Sequence, residues 1–307
     1  MLAANATGPR TTQFGIVPPC VIIYVRWAQS ADRQGTRLGM NTWVSILLSV
    51  FGAMVYEQTP PEIDAYLAQR HRPDSTFIQR LEQVVADSVG TPYHDGPLGE
   101  GPGASYDSDP LIDLSRVDCV TFVEQSVALA SASSLAEATK VLQGYRYEDG
   151  QVDFLHRNHF MLVDWVPNNP WCRDSTAKLG LETKTVTRSI SKAGFFRRVK
   201  APELGQEIPD RDVSITYIPI DEASAAARAI KTPSLVVFIG HVDWLFALHC
   251  GIFLPDRTGS GSLYHASSAA GKVAAMDLGD YATSQSKRYL GMAVFEITDP
   301  GSPQTGN

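Results

Sequence analysis

A cysteine becomes a nucleophile when its surroundings favour the thiolate, and Cys119 occupies such a place. In Ser115–Ala130, SRVDCVTFVEQSVALA, apolar residues fall at Val120, Val123, Val127 and Ala130. Those steps are the period of one buried helical face. Ser115 followed three residues later by Asp118 has the form of a capping box, and Asp118 itself could be the cap. With either cap, Cys119 lies in the first turn. Free backbone N–H groups and the positive end of the helix dipole favour an anion there. The chemistry this predicts is attack of a thiolate on an amide. The competing reading is a buried structural cysteine, because unpaired Cys is among the most buried residue types.

A thiol nucleophile needs a base. In LFALHCGIFL (Leu245–Leu254), Phe246, Leu248, Cys250, Ile252 and Leu254 alternate onto one face of a strand. His249 points to the other face, beside Gly251, where a neighbour has room to approach. The next strand, SLYHAS (Ser262–Ser267), returns through a Gly-rich loop and brings His265 roughly opposite His249. One imidazole would take the thiol proton and the other would orient it. Each histidine could instead be a satisfied structural residue. A metal site is a further alternative: His156 and His159, with Asp164 and a later histidine, could hold zinc. H-x-x-H on a strand-like stretch does not put both rings on one face, so no metal is expected. Cys250 shares the apolar face and reads as core.

The elements that position these residues follow in order. PEIDAYLAQRH and DSTFIQRLEQVVADSVG read as helices, the second with an Asp or Ser cap, apolar positions at Phe77, Ile78, Leu81, Val84 and Val85, and an end at Gly90. A long Gly/Pro-rich loop, Gly90–Pro110, leads into the Cys119 helix. Loops of that length are functional or disordered. Ser134–Gln143 reads as a second short helix. YRYEDGQVDFLHRNHFMLVDWVPNN reads as a hairpin-like piece with Asp149-Gly150 as its turn. Asn169–Ile208 is polar and weakly patterned. LVVFIG, LFALHCGIFL, SLYHAS and GMAVFEI are rich in β-formers. Helices first and an antiparallel sheet after them predict an α+β domain over residues 57–299, between residues 1–56 and a polar tail, 300–307.

Trp43–Val55 is the length of a signal-peptide apolar region and too short to span a membrane. Arg33 and Arg37 precede it, and Met40 is a candidate start. Export to the periplasm or cell envelope is expected, with the signal at about residues 40–55. No clean cleavage site follows, and a buried helix is the alternative. The 307 residues carry a net charge of −7, which argues against a nucleic-acid partner. Four scattered cysteines form no C-x-x-C pair.

The order GTPY (Gly90–Tyr93), Asp118-Cys119 before a helix, HCGIFL (His249–Leu254) and YHAS (Tyr264–Ser267) resembles the NlpC-type, papain-like peptidoglycan hydrolases. DCVTFVE (Asp118–Glu124), RYEDGQ (Arg146–Gln151), RNHFMLVDW (Arg157–Trp165) and LYHASS (Leu263–Ser268) resemble its N-acetylmuramoyl-L-alanine amidase-like branch. That branch has TFVE after the Cys where ordinary members have SGF. The likeness spans about residues 89–297. It departs at Pro233–Gly240, where the branch has Gly-Asp before the strand, and residues 1–40 match nothing.

The resemblance implies a papain-like α+β core with the nucleophile helix packed on the C-terminal antiparallel sheet. It implies Cys119 as nucleophile, His249 as general base and acid, and His265 as polar orienter. Tyr93 would line the substrate site. Asp118 matches an acid that contacts the stem-peptide amine in the endopeptidase branch. Arg157, His159 and Trp165 are substrate-side candidates or branch-specific scaffold. The implied partners are soluble peptidoglycan fragments bound by a monomer, with no cofactor. Cleavage between γ-D-glutamate and diaminopimelate, or a non-catalytic peptidoglycan-binding module, are the alternatives.

Overall fold

A computed structural model describes residues 55–256 and 261–302. All but the last residue of the apolar stretch read as an export signal, and most of the tail, lie outside the described residues.

The first half of the described residues is mainly helical. Helices α1 (Pro60–Arg70), α2 (Phe77–Asp87), α3 (Cys119–Ser131) and α4 (Leu135–Arg146) carry it. In α2, Phe77, Leu81, Val84 and Val85 are buried as the spacing predicts. Its cap is Thr76, in a capping box with Gln79, rather than an Asp or Ser. Helix α3 is the central one. It packs on the sheet on one side and on α2 and α4 on the other. Hence Cys119 through Ala130 are all buried, not only the predicted apolar face. The polar residues on its far side, Thr121, Glu124, Gln125 and Ser126, are sealed inside.

The sheet is antiparallel at every pairing among the described residues. Its strands are β1 (Cys172–Asp174), β2 (Lys184–Ile190), β3 (Arg211–Pro219), β4 (Ser234–Gly240), β5 (Ala247–Pro255), β6 (Gly261–Ser267), β7 (Lys272–Met276) and β8 (Tyr289–Ile297). They run in the order β2-β3-β8-β4-β5-β6-β7, with β1 also pairing β8. The fold is therefore α+β, with β4 and most of β5 fully buried at its centre. The short helices α6 (Lys192–Arg198), α7 (Ala223–Ala229) and α8 (Leu278–Ser284) close its flanks. No helix among the described residues is long and apolar enough to cross a membrane.

Asn169–Ile208, polar and weakly patterned in sequence, contains β1, β2 and α6. One expectation is corrected. The predicted hairpin around Asp149-Gly150 is a turn without strands. Asp149 and Gly150 take φ of 52° and 69°, which suits the turn, but only the isolated bridge Tyr147–Arg157 joins its flanks. The rest winds into a π-helix, Met161–Trp165, running into a single turn, α5 (Val166–Asn168). The Phe160 carbonyl accepts from the N–H groups of Val163, Asp164 and Trp165.

Candidate active site

Cys119 is the first residue of α3, and Asp118 is its N-cap. Asp118 Oδ1 accepts from the backbone N–H groups of Val120 and Thr121 at 3.0 and 2.8 Å and from the Thr121 hydroxyl at 2.8 Å. The Thr121 hydroxyl oxygen in turn accepts from the Asp118 N–H at 2.9 Å, completing a capping box. Asp118 Oδ2 accepts from the Gly96 N–H at 3.2 Å. Both carboxylate oxygens are thus engaged in holding the helix start and the preceding loop. Cys119 is 3% exposed. The Cys250 thiol donates to the Cys119 carbonyl at 3.2 Å, which ties α3 to β5 one residue past His249.

His249 and His265 stand on one face of adjacent strands. Continuing the β5–β6 register places His265 directly across from Gly251, so His249 lies diagonal to it. The close approach needs a glycine. A Cβ on Gly251 would sit 2.6 Å from the Tyr264 carbonyl and 2.9 Å from His265 Cβ. His249 Nε2 and His265 Nδ1 are 2.8 Å apart. Burial without a charged partner pushes His265 down to about 4, so it is neutral near pH 7.

The face that carries the histidines is aromatic. Phe238 stacks on His249 with centroids 6.0 Å apart. Tyr281, on α8, touches both imidazoles, at 5.7 Å from His249 and 4.8 Å from His265. Its hydroxyl is 3.1 Å from that of Tyr289. Burial pushes the Tyr281 phenol well above its usual value, and the nearby Tyr289 and Cys119 add to the rise. Tyr281 therefore lies against both histidines and within electrostatic reach of Cys119. Sequence reasoning missed it, because α8 is short and only the tertiary fold brings it over β6.

Tyr93 also comes to this place. It forms a parallel bridge with Val117, two residues before Cys119, and its N–H donates to the Gly271 carbonyl at 2.9 Å. The segment is thus clamped between the approach to α3 and the turn before β7.

Residues 83–291, more than half of the chain, match a family described as AmiA-like, N-acetylmuramoyl-L-alanine amidase-like. The chain belongs to this family. A crystal structure of a Legionella pneumophila protein is similar at a TM-score of 0.68 and 22% identity, covering 80% of this chain and 96% of that one. An N-acetylmuramoyl-L-alanine amidase from Bacteroides uniformis is similar at a TM-score of 0.57 and 21% identity, covering 72% of this chain and 99% of that one. At these identities the two structures speak for the fold. No curated protein matches the chain.

The remaining motif residues of this AmiA-like chain are buried away from the histidines. Glu124, in the second turn of α3, accepts from Arg146 Nη1 at 2.8 Å and from Trp165 Nε1 at 2.9 Å. Arg146 Nη2 reaches the Leu98 carbonyl at 3.3 Å. Arg157 donates to Glu100 and, at 2.9 Å, to Asp107. Leu98, Glu100 and Asp107 all belong to the Gly/Pro-rich loop. Arg157 and Trp165 thus hold that loop and helix α3 from within, at 1% exposure each. His159 is packed among Phe154, Phe195 and Phe196 and donates through Nε2 to the Phe154 carbonyl at 2.6 Å. Burial holds it well below the usual histidine range. Arg157, His159 and Trp165 are all buried, with polar atoms engaged by the loop, the Phe154 carbonyl and Glu124 respectively. The zinc alternative disperses: His156 pairs with Asp153, and Asp164 with Lys192 and Arg211. Among the described residues, no three His, Cys, Asp or Glu side chains gather as a metal-ligand set.

Proposed function

We propose that this protein is a cysteine amidase of the NlpC-type, papain-like kind, cutting the amide between the lactyl group of N-acetylmuramic acid and L-alanine in peptidoglycan fragments. The observation that carries the reading is the 2.8 Å contact between His249 Nε2 and His265 Nδ1 on the strands beside the capped start of the Cys119 helix. With Nε2 engaged by His265, proton exchange with the thiol falls to His249 Nδ1.

The Cys119 thiolate attacks the lactyl carbonyl carbon, and His249 holds the thiol proton. The backbone N–H of Cys119, at the helix start, serves as an oxyanion donor. The C–N bond breaks as His249 protonates the departing L-alanine amine, leaving a thioester. Water then gives a proton to His249 and attacks the thioester, releasing a lactyl carboxylate and restoring the thiol. His265, neutral and hydrogen-bonded, fixes the orientation of His249 without removing its proton. Tyr93, clamped beside Val117, lines the substrate approach.

Incubation with purified muropeptides and weighing of the products tests this. Free disaccharide plus an intact stem peptide supports it. Release of a disaccharide that still carries L-alanine and D-glutamate would make the protein an endopeptidase, and binding without turnover would make it a recognition module. A thiol alkylator that stops turnover where a chelator does not would separate cysteine from zinc chemistry. We further propose export directed by the apolar stretch Trp43–Val55, tested by the N-terminal sequence of the mature protein.

A further inference from the structure

The His249–His265 pair continues to a third strand. On β7, Ala274 is the register partner of His265, and Met276 lies two residues beyond it on the same face. His249 stands two residues before Gly251, the residue across from His265 on β5. The side chains of His249, His265 and Met276 therefore form one diagonal row across β5, β6 and β7. Met276 Sδ is 3.3 Å from His265 Nε2.

The chemistry of the row assigns its protons. A neutral imidazole carries one N–H and one lone pair. A thioether has no proton to give and can only accept. The His265 nitrogen that faces Met276 is then the N–H, and Nδ1 is left with its lone pair towards His249. His249 Nε2 must carry a proton to satisfy it. The opposite tautomer would set the His265 Nε2 lone pair against sulfur and donate from Nδ1 to His249 Nε2, which would leave the His249 proton on Nδ1, the nitrogen that must accept from the thiol.

We propose that Met276 is a positioning residue, a fourth member of the row that fixes the His265 tautomer so that its lone pair always faces His249. This rests on the amidase reading in taking His249 as the base. Burial supports it, because His265 held at about 4 stays neutral and has one proton to place on one of its two nitrogens. The row ends in a group that neither gains nor loses a proton. His265 can therefore steady the imidazolium of His249 but cannot draw its proton away, and the proton remains for the leaving amine.

Long-range 1H–15N spectra of the imidazole rings in the full chain at neutral pH test this directly. Wild type is expected to show His265 with the proton on Nε2. Met276→Leu keeps the volume and removes the acceptor. It is expected to shift or mix the tautomer and to lower kcat at least about tenfold with KM little changed, because a wrongly protonated orienter disables the base. Met276→Gln, whose side-chain carbonyl accepts, should restore the tautomer and most of kcat. A wild-type His265 protonated on Nδ1 would overturn the proposal even if Met276→Leu failed to fold. So would a folded Met276→Leu with unchanged tautomer and kcat. If wild type cleaves no muropeptide yet shows the Nε2 proton that Met276→Leu disturbs, the tautomer assignment stands and the amidase reading fails.

Discussion

Glu124 and Arg146 face each other at 2.8 Å in an interior where neither side chain is more than 2% exposed. Glu124 belongs to the helix that Cys119 begins, and Arg146 ends the helix after it. Through Leu98, Arg146 also holds the loop that precedes the site. Burial pushes the Glu124 carboxyl up, against the lowering pull of Arg146 and the Trp165 hydrogen bond.

Removing one partner strands the other. Glu124→Leu leaves the Arg146 charge uncompensated and should cost about 3–5 kcal/mol in urea unfolding. The double change Glu124→Leu with Arg146→Met should recover part of that loss, because well-packed apolar replacements of buried ion pairs are often tolerated. A double variant less stable than Glu124→Leu alone would contradict this account of the pair.

Gly251 is required by the approach of His265. Gly251→Ala should lower kcat/KM by at least about tenfold, since a misplacement of about 1 Å can cost a hundredfold. A Cβ there would meet backbone as well as the His265 Cβ, so β6 must shift. Kinetics on the folded variant check it, with near-UV circular dichroism as the control for packing.

Asp118 works as a cap in this structure. Asp118→Asn should keep the cap through its amide oxygen and lose only the Gly96 contact, so it should cost less than Asp118→Ala, for which about 1–2 kcal/mol is expected. KM should change little in Asp118→Asn. A large rise in KM with unchanged stability would instead place Asp118 against the stem-peptide amine.

Stability should fall in mild acid. His265 ionises at about 4 in the folded chain and about 6.5 unfolded. The unfolded state therefore binds the proton first as pH falls. Stability is complete above about 6.5 and declines towards 4, by up to about 3 kcal/mol from this group. His159, also lowered by burial, adds loss in the same direction. Urea midpoints at pH 7.5, 6 and 5 check it, and His265→Gln should flatten the curve.

The sequence made the ends of the site legible and hid its middle. Cys119 was placed at a helix start because capping is local and Asp118 is adjacent. The two histidine strands were readable from β-formers and alternation. Their register was legible to within a residue or two: the residue across from His265 is Gly251, and His249 is its diagonal neighbour. Tyr281 and Met276 could not be found, because neither lies in a local pattern and both arrive through long-range packing. The π-helix at Met161–Trp165 also escaped, since its apolar residues look the same in a strand. The edge hairpin of β2 and β3 escaped because KTVTRSI is largely exposed and polar.

The thioester on Cys119 tests the central claim most directly. Wild-type protein mixed with a muropeptide carrying its disaccharide, quenched in acid and weighed intact, should gain the mass of the muramoyl disaccharide with no amino acids. Digestion should place that mass on Cys119, and Cys119→Ala should show neither adduct nor turnover. Turnover that persists in Cys119→Ala, or an adduct that carries L-alanine and D-glutamate, would contradict it.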